Sequence, residues 1–138
     1  MKKNSSKLYK SHGDGRFLKK NFLMIGENVI FEKSALVFHP ENIKIGNNVY
    51  IGHYAILKSY FSGSINIGDN SWIGQNVFIH GGGNLDIGKN VGIGPGVNII
   101  TSFHDYSGKH KQIIKNKLIF KKVTIGNGSD IGVGAIIL

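Results

Sequence analysis

The residues best suited to chemistry gather in one irregular segment, from about Phe103 to Lys122. It opens with His104 and Asp105, and lysines follow them along the segment. A neutral imidazole can remove a proton from a hydroxyl group near neutral pH, and ammonium groups attract anions. Because a long irregular segment inside a compact repeat is usually functional or disordered, we interpret this one as a candidate site.

Most of the chain outside this segment consists of short sequence repeats. The dipeptide Ile-Gly opens hexapeptides in which two variable positions are followed by Val, Ser or Ala, as in Ile45–Tyr50. A period of six fits neither an α-helix nor an ordinary alternating strand. It predicts a β-solenoid in which each hexad is one short strand plus one turn. The nine openings are Ile25, Ile45, Ile51, Ile67, Ile73, Ile87, Ile93, Ile125 and Ile131.

The hexads fall into groups of three, and each group predicts one coil of a triangular prism. Successive groups begin 20, 22, 20 and 38 residues apart, so two extra residues lead into most coils and the last interval also holds the long loop. We expect the first and fifth side chains of each hexad to point inward and stack between coils. Gly, Asn and Asp suit the corners. The predicted fold is all-β, a single-stranded parallel β-helix of about five coils with one protruding loop.

The 138 residues suggest one folded domain. We expect residues 1–24 to be a basic segment that caps the helix or is flexible. Residues 25–138 form the repeat domain, into which the loop 103–122 is inserted.

Composition narrows the functional classes. The absence of cysteine excludes disulfides and thiolate metal sites, and no segment is long and apolar enough for a membrane span. The lysine-rich beginning is not followed by a signal-peptide apolar region, so we expect a cytoplasmic protein without stable membrane insertion. The net charge of +9 attracts polyanions such as a nucleotide-bearing cofactor. No nucleic-acid-binding motif is present, so nucleic acid is not the expected partner.

From Ile25 to Leu138 the sequence resembles the hexapeptide-repeat superfamily of left-handed parallel β-helix acyltransferases. The nearest resemblance is to its branch of galactoside, maltose and polysaccharide O-acetyltransferases. This resemblance implies a left-handed coil, a homotrimer with active sites in the clefts between prisms, and acetyl-coenzyme A as acyl donor with no metal required.

A local match carries the functional part of the resemblance. The run from Ile87 to His104, followed by the return at Val123–Gly126, matches the coil that precedes a catalytic histidine in that branch. The resemblance therefore implies that His104 is the general base that activates a sugar hydroxyl for attack on a thioester. A backbone N–H of the adjoining coil is the expected donor to the oxyanion.

Other site residues are also implied by position within the family pattern. The group that orients His104 stays open between the adjacent Asp105 and a backbone carbonyl. His80 stands where related sugar acetyltransferases often carry an acceptor-binding Asn. The expected acceptor-binding residues are His80, Asn84 and Asp105, and the expected coenzyme A-binding residues are Lys121, Lys122, Gly132, Val133 and Gly134.

Two departures from the family pattern bear on the donor. Asp130 stands where relatives often carry an aromatic residue, and relatives continue with at least one further coil after the segment Gly132–Leu138. We therefore expect coenzyme A to bind weakly and in a salt-dependent way, or the printed sequence to be incomplete.

The leading interpretation is acetyl-CoA-dependent O-acetylation of a sugar in the synthesis of a cell-surface polysaccharide such as capsule, O-antigen or exopolysaccharide. One alternative is N-acetylation of an amino sugar or nucleotide sugar, and another is an inactive, truncated scaffold. A zinc lyase of the γ-carbonic anhydrase type is disfavoured, because its close histidine pair is not reproduced by His53, His80, His104 and His110.

Overall fold

A computed structural model describes residues 9–108 and 110–138. Three parallel sheets of five strands each form the walls of the molecule. The first sheet contains β1 (Met24–Ile25), β4 (Ile43–Ile45), β7 (Ile65–Ile67), β10 (Leu85–Ile87) and β15 (Val123–Ile125). The second contains β2 (Ile30–Phe31), β5 (Tyr50–Ile51), β8 (Trp72–Ile73), β11 (Gly92–Ile93) and β16 (Asp130–Ile131). The third contains β3 (Leu36–Phe38), β6 (Ile56–Lys58), β9 (Phe78–His80), β12 (Asn98–Ile100) and β17 (Ile136–Ile137).

Within the three walls, consecutive strands belong to different sheets, and each strand pairs with the equivalent strand one coil away. Ile45, for example, pairs in register with Ile25 on one side and Ile67 on the other. The chain therefore visits the three walls in turn, once per coil, which is a parallel β-helix. The all-β solenoid predicted from the hexads is confirmed.

The core is the inward ladder of the hexads. First-position residues such as Ile45 and Ile73 and fifth-position residues such as Val49 are almost completely buried. Each buried Ile or Val contributes about 1.5–3 kcal/mol relative to exposure. Ser71 is a polar member of this ladder, and its hydroxyl donates to the Gly88 carbonyl at 3.1 Å. The ladder is therefore structural throughout.

The two residues before most coils do more than lead into the next hexad. Ile43, Ile65 and Leu85 are themselves strand residues of the first sheet and are fully buried. They lengthen β4, β7 and β10 to three residues, compared with two residues in each strand of the second sheet.

Glycine is required where two coils touch at a corner. A Cβ atom added to Gly68 would lie 2.6 Å from the carbonyl carbon of Gly88, which is closer than packing permits. Asn takes the left-handed conformation at other corners, with φ of 56° at Asn48 and 58° at Asn70. The Asn48 amide donates to the Asn70 side-chain oxygen at 3.1 Å, so the corner residues also bond between coils.

The long loop is an ordered projection. Strand β13 (Ser102–His104) pairs antiparallel with β14 (Leu118–Phe120), and a 3-10 helix spans Ile113–Lys115 between them. Two further 3-10 helices cover Lys19–Asn21 and Pro40–Asn42. Within this chain Ile113 and Ile114 remain more than half exposed.

Within residues 9–108 and 110–138, no helix has the length and apolar character needed to cross a bilayer. The same residues contain no group of three or more His, Asp or Glu side chains that could hold a metal ion. Residues 9–24 of the predicted basic segment 1–24 belong to the described part, and residues 1–8 lie outside it. Lys109 of the long loop also lies outside the described part.

Candidate functional site

His104 ends strand β13, directly opposite Leu118 of β14. Its half-buried ring places Nδ1 3.2 Å from the backbone carbonyl oxygen of Asn116. Since a carbonyl only accepts hydrogen bonds, this contact requires the proton on Nδ1. The other ring nitrogen, Nε2, then keeps its lone pair. A neutral His104 in this tautomer can accept a proton.

The ring of His104 lines a cleft of about 700 Å³. This volume lies in the range of small-molecule sites, which combine apolar walls with a few polar groups. Here the polar groups are one imidazole, two phenols and one ammonium. The lining residues are Tyr9, Tyr60, His104, Ile114, Lys115 and Leu118.

Asp105 does not orient the His104 ring in this structure. Its carboxylate accepts the backbone N–H of Ser107 at 2.8 Å, and this hydrogen bond lowers the pKa of Asp105. Of the two orienting groups left open by the sequence, the one in contact with His104 is the backbone carbonyl of Asn116. The role of Asp105 toward an acceptor stays a prediction.

His80 ends strand β9 and is buried, with 6% of its surface exposed. Its Nδ1 lies 3.0 Å from the Thr101 hydroxyl, which donates to the His80 carbonyl at 2.7 Å. Its Nε2 lies 3.4 Å from the Ser102 hydroxyl. Burial lowers the pKa of His80, which favours the neutral ring. His80 therefore lies beneath strand β13. The ring of Tyr60 packs on the His80 ring, and the two ring centroids are 4.4 Å apart.

Asn84 occupies a corner of the prism in the left-handed conformation, with φ of 75°. Its side-chain oxygen accepts hydrogen bonds from both the backbone N–H and the hydroxyl of Ser64. Its carbonyl accepts the N–H of Val123, where the chain returns from the loop. These contacts link three coils. Asn84 does not line the cleft that contains His104.

Tyr60 is a cleft residue that sequence reasoning missed. It adopts φ of 66°, and its ring contacts the His80 ring and lies 4.8 Å from the Lys58 ammonium. The N-terminal segment also reaches this corner, where the ring of His12 contacts that of Tyr60 and stacks on Phe61. The sequence does contain a signal for this role of Tyr60, because a large aromatic residue stands at a corner where Asn or Gly is common.

The residues expected to bind the donor lie in two separate places. Gly132, Val133 and Gly134 form the open turn between β16 and β17, where Val133 is 79% exposed. Lys121 borders a hollow of about 210 Å³ beside Phe103. These residues remain accessible to a ligand.

Lys122 points to the first sheet, where its ammonium pairs with the Asp86 carboxylate. Hydrogen bonds from Asn66 and from Lys122 lower the pKa of Asp86. This ion pair gives Lys122 a partner within the chain.

A second, basic hollow of about 480 Å³ lies on the loop. It is lined by His110, Lys111, Gln112 and Lys115. Lys115 also lines the cleft of His104, so the two cavities adjoin at this residue. Lys109, another lysine of this loop, lies outside the described residues.

The structure resembles those of AntD, an N-acyltransferase from Bacillus cereus. One AntD complex with dTDP and coenzyme A superimposes with a TM-score of 0.73 and 24% identity, covering 91% of this chain and 71% of AntD. A second AntD complex superimposes with a TM-score of 0.66 and 25% identity, covering 86% of this chain and 68% of AntD. An AntD complex with dTDP-4-amino-4,6-dideoxyglucose and coenzyme A superimposes with a TM-score of 0.63 and 23% identity. It covers 86% of this chain and 64% of AntD. No family model matches the sequence, and no curated protein matches it.

These similarities establish the fold, and the predicted left-handed parallel β-helix is confirmed. They support the acyltransferase superfamily inferred from the hexads. They do not single out its O-acetyltransferase branch, since AntD is described as an N-acyltransferase.

Proposed function

We propose that this protein is an acyl-coenzyme A-dependent acyltransferase that acts on a sugar. The observation that carries the proposal is the geometry of His104, whose Nδ1–H is bonded to the Asn116 carbonyl. This bond leaves Nε2 as the basic nitrogen, and His104 lines a cleft together with two tyrosines and one lysine. The similarity to coenzyme A complexes of AntD supports the choice of acyl donor.

In the proposed reaction, Nε2 of His104 takes a proton from the acceptor as its oxygen or nitrogen attacks the thioester carbonyl. A tetrahedral intermediate with a negatively charged oxygen forms. A backbone N–H of the adjoining coil is the proposed donor to that oxygen. The carbon–sulfur bond then breaks, and the thiolate takes the proton from the His104 imidazolium. The products are the acylated sugar and free coenzyme A.

The acceptor is either a hydroxyl or an amine, and each has its own support. The sequence resemblance favours a sugar hydroxyl in polysaccharide synthesis. The AntD complex with dTDP-4-amino-4,6-dideoxyglucose favours the amine of a nucleotide-linked amino sugar. His104 serves either acceptor, because both must lose a proton during transfer. His80, Asn84 and Asp105 remain proposed acceptor-side residues, of which His80 acts from beneath the cleft through Tyr60.

Assembly into a homotrimer is part of the proposal. The outer faces of the walls expose apolar side chains, among them Trp72 and Ile136. Association of prisms would cover such surface. Light scattering that detects only monomers at all concentrations would contradict this part of the proposal.

Incubation with acetyl-CoA and a panel of acceptors tests the activity. The panel contains dTDP- and UDP-linked amino sugars, their hydroxyl analogues and free sugars. We expect release of coenzyme A, measured with a thiol reagent, and an acetylated product by mass spectrometry. Mild alkali cleaves an ester and leaves an amide intact, so it separates the two acceptor classes. Absence of acceptor-dependent thiol release across the panel would contradict the function and favour the scaffold alternative.

The binding of coenzyme A should weaken as salt rises. Lys111 and Lys115 line the basic hollow, and Lys121 borders the smaller one. Their attraction to phosphates is screened because the Debye length falls from about 10 Å at 0.1 M to about 3 Å at 1 M salt. Calorimetry at these two ionic strengths measures the effect.

The matched variants for this experiment are the double change Lys115→Gln with Lys121→Gln, and the control Lys20→Gln. Lys20 is exposed at the opposite end of the prism. The double variant should show a smaller salt dependence, whereas the control should behave like the unaltered protein. Tight binding that does not change with salt would show that these lysines are bystanders.

A further inference from the structure

The base of the loop contains a residue that no comparison assigns. Asn116 follows the 3-10 helix Ile113–Lys115 and precedes strand β14. Its backbone carbonyl accepts the Nδ1–H of His104, whereas its side chain bonds elsewhere. One residue thus contacts both arms of the projection.

Three hydrogen bonds hold Asn116 in place. Its side-chain amide donates to the Asp105 carbonyl at 2.6 Å, and its backbone N–H donates to the Ile113 carbonyl at 3.0 Å. The neighbouring Lys117 carbonyl accepts the N–H of Asp105 at 2.8 Å. Asp105 is therefore bonded to two consecutive residues, Asn116 and Lys117, on the opposite side of the hairpin. The Asn116 carbonyl consequently has little freedom to turn away from His104.

This arrangement has a chemical consequence for His104. In the neutral ring, only one nitrogen carries a proton, so the hydrogen bond at Nδ1 decides that Nε2 is the base. When Nε2 takes a proton, the ring becomes a cation, and the oxygen of Asn116 stabilises the charge on the Nδ1 side. The carbonyl thus acts before and after proton transfer, and it can do so only while its orientation is held.

We propose that Asn116 is a positioning residue whose side-chain clamp to Asp105 selects the reactive tautomer of His104. This proposal rests on the proposed function for its effect on turnover, but its effect on the tautomer does not depend on activity. Asn116 remains half-buried, and its amide is the only part of the clamp that a substitution removes without altering the backbone.

The test replaces Asn116 with alanine and observes His104 directly. Protein labelled with ¹⁵N-histidine reports by NMR which ring nitrogen carries the proton, and His104→Ala assigns the signals. In the unaltered protein we expect His104 as the Nδ1–H tautomer. In Asn116→Ala we expect a mixture of both tautomers, because the carbonyl loses the side-chain bond to Asp105 and keeps only the two backbone bonds that hold this segment.

The kinetic arm follows the same variant. Since a misplacement of about 1 Å can cost about 10²-fold, we expect kcat to fall by about 10- to 100-fold, with little change in KM for donor and acceptor. Asn98→Ala is the matched control, since the Asn98 amide also donates to a backbone carbonyl, that of Gly96. It should leave the tautomer and kcat unchanged.

Two results would overturn the proposal. The first is an Nε2–H tautomer of His104 in the unaltered protein, which needs no variant and so holds even if Asn116→Ala fails to fold. The second is an unchanged tautomer of His104 in a folded Asn116→Ala protein. If no acceptor is ever acylated, the proposed function fails, and the NMR result still decides the role of Asn116.

Discussion

Replacing His104 with alanine is expected to lower acyl transfer by about 10²- to 10⁴-fold, the usual cost of losing a general base. The reason is local, because alanine has no group that can take the acceptor proton at the cleft. The side chain is half-buried, and its one hydrogen bond within residues 9–108 and 110–138 is to Asn116, so the prism should be retained. Thiol release with the best acceptor measures activity, and circular dichroism with thermal melting checks the fold.

The matched control for His104→Ala is His53→Ala. His53 is partly exposed at a corner and pairs with Glu32 at 3.4 Å, away from the loop. Its loss should leave turnover close to normal. Near-normal turnover by His104→Ala itself would show that this histidine is structural, and the proposed mechanism would be wrong.

Replacing Ile73 with aspartate is expected to abolish folding. Ile73 is fully buried in strand β8 and pairs with Ile51 and Ile93 of the neighbouring coils. The change removes about 1.5–3 kcal/mol of apolar burial and adds an unpaired charge whose burial costs several kcal/mol. The sum is comparable to the whole stability of a typical domain, about 5–15 kcal/mol.

Circular dichroism and soluble yield measure this outcome, and Ile30→Asp is the control. Ile30 belongs to the same sheet but faces outward and is 53% exposed. The same chemical change there should alter the free energy of unfolding by about 0.5 kcal/mol or less. A folded Ile73→Asp protein with the stability of the control would contradict the inward ladder.

The hexads determined the fold because each repeat has the same pattern of inward and corner residues. An aliphatic residue fills the inner wall, and glycine allows two coils to touch at a corner. The register follows, since Ile45 can stack only on its equivalents Ile25 and Ile67. The sequence also located His104 at the start of the interruption, where the chain leaves the third wall.

The interruption itself could not be built from the sequence. Its residues follow no period, so nothing local predicts that β13 and β14 pair or that Asn116 meets His104. Side-chain type could not decide between the two orienting groups that the sequence left open. Asp105 is adjacent to His104 but bonds to Ser107, whereas the group in contact is a backbone carbonyl, which every residue possesses.

The repeated hexads determined the walls and the inward ladder, because a repeated short-range pattern has only one way to stack, and they placed His104 at the start of the interruption. The tautomer of His104, the contact of Tyr60 with the cleft and the burial of His80 came from the tertiary structure. These depend on contacts between segments that are distant along the chain and share no repeat. Their distances and directions are set by how the coils and the loop pack together.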